Sequence, residues 1–375
     1  MNERILNGMS TSPQSGAAEL YPACPPIAPA EQQTPERTFD RRSFGKIVIS
    51  GAVTAVTYAV PTIAVLKTVD DIYTKLRWPA GEPYISPVDG AENIPPGGDE
   101  HIVFMGYGQN DATNAANQLF NALGRTTSVS AMHYPNQGFT CRDLAPVIAQ
   151  RIRERRPARL NIVGVSMGTD IGLESARLVV LQDKRRPGHT ITKEDQKQER
   201  QSRINYLVAY SSPSKMEDAF QGEIADTIVA ISDRLHYSGD AAGKLLYDMV
   251  DQHSNHPLYA EGLSGIFKMA RNCISEVNND CSPEMALSQL KILMPFNFAN
   301  QATQYSPVFD PFGHIIYIAP QVDSIVDGPR AARDYEDGSR RSHLGFTLLS
   351  SGNTNHANTA DSALAYGHWR KTQTA

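Results

Sequence analysis

The chain has no surplus of either charge. Its 375 residues carry 35 Lys and Arg against 40 Asp and Glu, a formal net charge of −5. No dominant basic face follows from that balance, so no nucleic acid is expected as a partner. Cysteine is scarce, and Cys24, Cys141, Cys273 and Cys281 form no C-x-x-C pair, so no metal site is expected. Cys273 and Cys281 flank a short polar loop. They either bridge in an oxidising compartment or stand as two unpaired thiols. Gly106-Tyr107-Gly108 lacks the third glycine and the downstream acid of a dinucleotide site, and no metal, nucleotide or redox cofactor is implied. No internal repeat is evident. What is present is 41% hydrophobic and 20% charged residues, the balance of a globular chain with length for a sizeable core.

The first 40 residues are rich in Pro, Ser, Ala, Glu and Gln with little apolar periodicity, and read as a disordered leader. Residues 41–67 differ. Arg41-Arg42-Ser43-Phe44-Gly45-Lys46 precedes residues 47–66, which contain no charge. Paired arginines, a Phe two positions on and a Lys before a moderately apolar segment resemble a bacterial twin-arginine export signal. The segment also has the length of a membrane-spanning helix, which needs roughly 20 residues. No A-x-A triplet closes it, and Thr57-Tyr58-Ala59 is the nearest cleavage candidate. A cleaved signal and an uncleaved anchor both put the rest of the chain on the extracytoplasmic side. Residues 68–100 contain Pro79, Pro83, Pro87, Pro95, Pro96, Gly97 and Gly98 and read as a linker.

From residue 101 the pattern alternates. Apolar strands are expected at 101–105, 128–133, 160–163, 204–210, 314–319 and 345–349, with helices at 112–123, 144–155 and 171–181 between the earlier ones. Strands alternating with helices imply an α/β class with a mostly parallel central sheet flanked by helices. Residues 183–201 are a charged surface excursion. Residues 215–304 carry helical patterns, including 224–235 and 285–293, without clear strand signals. An insertion of that size reads as a helical cap.

The stretch RLNIVGVSMGTDIG, residues 159–172, reads as strand, tight turn and helix with Ser166 at the apex. Gly164 and Gly168 supply small neighbours two residues to either side, leaving room for a strained turn and a close helix start. The helix N-terminus behind Ser166 favours negative charge developing there.

With Gly164-Val165-Ser166-Met167-Gly168 in that setting, Met105-Gly106-Tyr107-Gly108 after the first strong strand, and an acid and then a histidine after the late strands, residues 101–375 resemble the α/β-hydrolase family. The chain departs from the family at Met105, where a histidine is usual. The resemblance implies a Ser-His-Asp triad, with backbone N–H groups of Tyr107 and Met167 facing the oxyanion. For the acid, Asp323, followed by Ile325-Val326, fits best after the strand at 314–319. Asp327 is the alternative if the loop is longer, and otherwise caps the helix starting near Pro329. For the base, His356 lies in the polar loop after the last strand, whereas His343 precedes that strand at the wrong end.

The function so implied is a serine hydrolase acting on a small-molecule ester, thioester or lipid, with the membrane as a further partner through residues 47–66 if they are uncleaved. Acyl transfer on the same fold, and a non-catalytic envelope-binding module, are the alternatives. A peptidase is less favoured, because nothing marks a peptide-binding subsite.

Overall fold

The computed structural model describes residues 81–106, 109–183, 200–215, 218, 283–323, 326–352, 356 and 358–374. The leader and the 41–67 segment lie outside these residues, as do Cys24, Cys273, Cys281, most of the expected cap and the helix expected at 224–235. Among the described residues no helix is long and apolar enough to cross a membrane.

Among the described residues seven strands form one sheet: β1 (Tyr84–Pro87), β2 (Asp99–Met105), β3 (Ser128–His133), β4 (Arg159–Val165), β5 (Ile204–Tyr210), β6 (Phe309–Ala319) and β7 (Gly345–Ser350). Their order is β1-β3-β2-β4-β5-β6-β7. All neighbours are parallel except β1, which runs antiparallel to β3 with Tyr84 opposite His133. The α/β class and mostly parallel sheet expected from the alternation are therefore what the chain adopts.

The inner strands are apolar throughout because both faces are covered. On one face Phe104, Ile162, Leu207, Ala209, Ile315 and Tyr317 pack under α2 (Cys141–Arg155), α3 (Gly168–Asp183) and α6 (Gly328–Arg341). On the other, Val103, Val163, Val165, Val208, Ile316 and Ile318 meet α1 (Gln109–Ala122) and α7 (Thr359–Thr374). Alternate residues of each strand serve opposite faces, so a one-residue slip would exchange the two cores. Helix α2 starts at a capping box, Thr140 with Asp143, which satisfies two of its free N–H groups. Two short helices, α4 (Pro283–Leu293) and α5 (Phe298–Tyr305), close the insertion. Phe298 of α5 stacks on Tyr305 and meets Tyr335 of α6, tying this end of the insertion to the main core.

One sequence expectation needs correction. The stretch read as linker up to residue 100 contains β1, and β2 already starts at Asp99. Pro87 is tolerated because β1 is an edge strand with one side free of the ladder. The C-terminal segment around His368 is a full helix, α7, packed on α1 and carrying Tyr366, which is buried.

Candidate active site

Ser166, Asp323 and His356 come from three strand ends on the C-terminal edge of the sheet, the position where parallel α/β sheets open a crevice. Ser166 follows β4 directly and has φ of 53°, a left-handed conformation that costs a non-glycine residue free energy and persists only where its surroundings enforce it. The enforcement is visible. Ser166 N–H donates to the Tyr210 carbonyl at 2.9 Å, and Thr169 N–H to the Ser166 carbonyl at 3.3 Å. A Cβ on Gly164 would lie 2.2 Å from the Thr169 Cα, and one on Gly168 would lie 2.0 Å from the Phe104 carbonyl oxygen. Both glycines are thus required by close approach of backbone to backbone. The Thr169 and Ser212 hydroxyls are 2.5 Å apart, bracing the start of α3 against the segment after β5.

His356 lies in the loop after β7. Its Nε2 is 3.2 Å from Ser166 Oγ, and its Nδ1 is 2.9 Å from both Asp323 oxygens. The proton-bearing Nδ1 donates to the carboxylate, which leaves Nε2 free to accept from the serine hydroxyl. Asp323 follows β6, and its Oδ1 also accepts the Val326 N–H at 2.9 Å. The carboxylate is only 3% exposed and the imidazole 15%, so water competes little for either hydrogen bond.

Asp327, the alternative acid, is placed differently. Its carboxylate caps α6 by accepting the Arg330 N–H at 3.1 Å. His343 sits in the turn before β7, at the opposite end of that strand from His356. Cys141 is buried, and burial pushes its thiol up to about 12, which removes it as a nucleophile at neutral pH.

The Met167 residue is buried directly behind Ser166. Gly106 borders it so closely that a Cβ there would stand 2.8 Å from the Met167 nitrogen. Tyr107, the other oxyanion candidate, lies outside the described residues. Met105, the last residue of β2, is buried, and its carbonyl accepts the Tyr134 hydroxyl at 2.9 Å. Among the described residues no group of three or more His, Cys, Asp or Glu is arranged to hold a metal ion.

Sequence reading missed the polar framework under this site. Tyr317 and Tyr335 donate to the carbonyls of Ser212 and Pro213 at 3.0 and 3.1 Å. Asp170 is fully buried one turn beyond the elbow, beside the Tyr335 hydroxyl. Burial, then the nearby Asp218 carboxyl, holds the Asp170 carboxyl well above its usual range. No local pattern marks these residues, because their partners lie far away in sequence.

No protein-family model and no curated protein matches the chain by sequence. Solved structures are similar in fold. A hydrolase from Oleispira antarctica shares 11% identity over 77% of this chain and 93% of its own, with a TM-score of 0.46. A carboxylesterase structure from Nitrososphaera gargenis shares 11% identity over 79% and 98%, with a TM-score of 0.45. MenH from S. aureus shares 11% over 78% and 97%, with a TM-score of 0.43. Likeness at this level assigns no residue a role.

Proposed function

We propose that this chain is a serine hydrolase of the α/β-hydrolase kind, cleaving a carboxylic ester, thioester or lipid acyl bond through an acyl-enzyme. One observation carries the reading: Ser166 Oγ, His356 and Asp323 form a continuous hydrogen-bonded line with contacts of 3.2 and 2.9 Å.

The chemistry follows from that line. A serine hydroxyl is a weak nucleophile unless a base takes its proton as the new bond forms. His356 Nε2 receives that proton while Ser166 Oγ attacks the acyl carbon. Asp323 fixes the ring's tautomer and orientation and stabilises the imidazolium. The Met167 N–H, with that of Tyr107, receives the oxyanion, helped by the N-terminus of α3. His356 then returns its proton to the leaving oxygen or sulfur as that bond breaks, and the acyl group stays on Ser166. A water molecule repeats the sequence, losing its proton to His356 and releasing the acid and the free serine. An alcohol in place of water would give acyl transfer instead. Residues 41–67 support an extracytoplasmic place of action, either as an export signal or as an anchor.

A fluorophosphonate probe tests the reading on the full chain, because it labels only serines activated in this way. Labelling and p-nitrophenyl ester hydrolysis that both vanish in Ser166→Ala are the expected result. A folded wild type with neither property would move the assignment to a non-catalytic binding protein.

A further inference from the structure

We infer that Asp218 is a positioning residue, holding the loop that presents Asp323 in register with His356. The inference rests on the triad reading above.

The chain after β6 has to keep the Asp323 carboxylate within hydrogen-bonding distance of the His356 ring, which is carried by a different strand end. Locally, its Oδ1 is fixed by the Val326 N–H. Val326 is in turn only as fixed as the chain on its far side, and that chain is tied to Asp218 twice. The Asp327 N–H donates to the Asp218 carbonyl at 2.9 Å. Arg330, in the first turn of α6, brings Nε to 3.3 Å from Asp218 Oδ1. Main chain at 327 and side chain at 330 thus converge on one residue.

Asp218 is itself an anchored point. Its side chain is fully buried, and its Oδ2 accepts the Ser214 N–H at 3.0 Å and the Ser214 hydroxyl. Ser214 belongs to the segment after β5 whose carbonyls take the Tyr317 and Tyr335 hydroxyls and whose Ser212 braces the elbow through Thr169. One polar framework therefore runs from the elbow to the acid loop, and Asp218 is where it reaches the loop.

The charges around Asp218 are unbalanced. Burial holds the Asp218 carboxyl above its usual range and the Asp334 and Asp170 carboxyls add to the rise, while the Ser214 hydrogen bonds and Lys215 oppose it. Lys215 also ion-pairs with Asp334. Arg330 is then the cation within ion-pair distance of Asp218 Oδ1, and a buried carboxylate that loses such a neighbour is destabilised. A purely structural role for Asp218 would support the fold without affecting the tautomer of His356. A positioning role affects both the tautomer and the rate.

The experiment uses the full chain with ¹⁵N-labelled histidine. The His356 resonance is assigned by comparison with His356→Gln, and ester kinetics are measured alongside. Asp218→Asn keeps the shape and an acceptor for Ser214 but loses the charge pairing to Arg330. Arg330→Gln removes the same pair from the half-exposed partner, and thermal melting of both variants reports how far the fold is kept. Both variants are expected to lower kcat by roughly tenfold at nearly unchanged KM, the order expected when a reacting group loses register. Both should also weaken the Nδ1–H signature of His356. The double variant should be no worse than the worse single one, and Arg330→Lys should recover part of the loss.

An unchanged His356 signature in both variants overturns the inference, whether or not kcat falls. The two proposals fail separately. A fully active Ser166→Ala sinks the hydrolase reading, while the His356 spectrum still judges Asp218. A dead Ser166→Ala beside wild-type kcat and spectrum in both Asp218→Asn and Arg330→Gln sinks only the role of Asp218.

Discussion

Gly106→Ala should cost this protein much of its activity and little of its fold. Gly106 does not occupy the left-handed region, so its backbone conformation is open to alanine and only space forbids the change. The added Cβ would stand 2.8 Å from the Met167 nitrogen, 3.0 Å from the Val165 carbonyl oxygen and 3.2 Å from Ser166 Cβ. Two of these atoms are backbone and cannot rotate away. The strand end must therefore retreat, stretching the Gly106 N–H bond to Val165, now 2.8 Å. Losing that bond is worth about 1 kcal/mol of stability. Covering or displacing the Met167 N–H removes a donor aimed at the oxyanion, which typically lowers kcat by roughly 10²–10³-fold, about 3–4 kcal/mol of transition-state stabilisation. The assay is kcat and KM on a short-chain p-nitrophenyl ester, with thermal melting on the same samples. Gly98→Ala serves as the control, since a Cβ there meets nothing within 4 Å. A Gly106→Ala protein with the kcat of the control would refute the placement of the oxyanion donor at Met167.

The two aspartates of the acid loop should separate cleanly. Asp323→Asn should drop kcat by roughly 10⁴-fold, the order seen when the imidazole loses its tautomer-fixing carboxylate. Asp327→Ala should instead cost about 1 kcal/mol in melting as a lost helix cap, with chemistry largely retained. Stability should fall in acid because of His101, which burial lowers from 6.5 to about 4. The folded state refuses a proton that the unfolded state accepts, so this contribution is intact above pH 6.5 and lost progressively between there and about pH 4. It amounts to about 3 kcal/mol, and urea midpoints across that range should fall less steeply in His101→Gln. Asp170 has the opposite sign. Burial holds its carboxyl well above the usual range, so its contribution is full below the unfolded value near 3.8 and is lost as pH rises through the raised folded value. Asp170→Asn should accordingly raise the melting temperature at pH 8 and change it little at pH 4; equal shifts at both would count against a neutral carboxyl there.

Local sequence was enough for the alternation of strands and helices and for the turn at Ser166. Strand identity is carried by short apolar runs, and the elbow by two glycines whose absence of side chains is itself the signal. Each of those properties depends on neighbours a few residues away. That Asp323 and His356 would lie near Ser166 was legible one step further out, since the C-terminal ends of parallel strands all open on the same edge. Choosing between Asp323 and Asp327 was harder, because a capping aspartate and a hydrogen-bonding one look alike until α6 is in place. Edge strand β1 was hidden by prolines that an inner strand would not tolerate. Three things were decided only by the tertiary structure: the burial of Asp170, the tyrosine donors to residues 212–213, and the convergence of Ser214, Asp327 and Arg330 on Asp218. Such contacts join residues up to 122 positions apart. Nothing in a local window records a partnership that exists only once the sheet has brought β5, β6 and the helices beside them together.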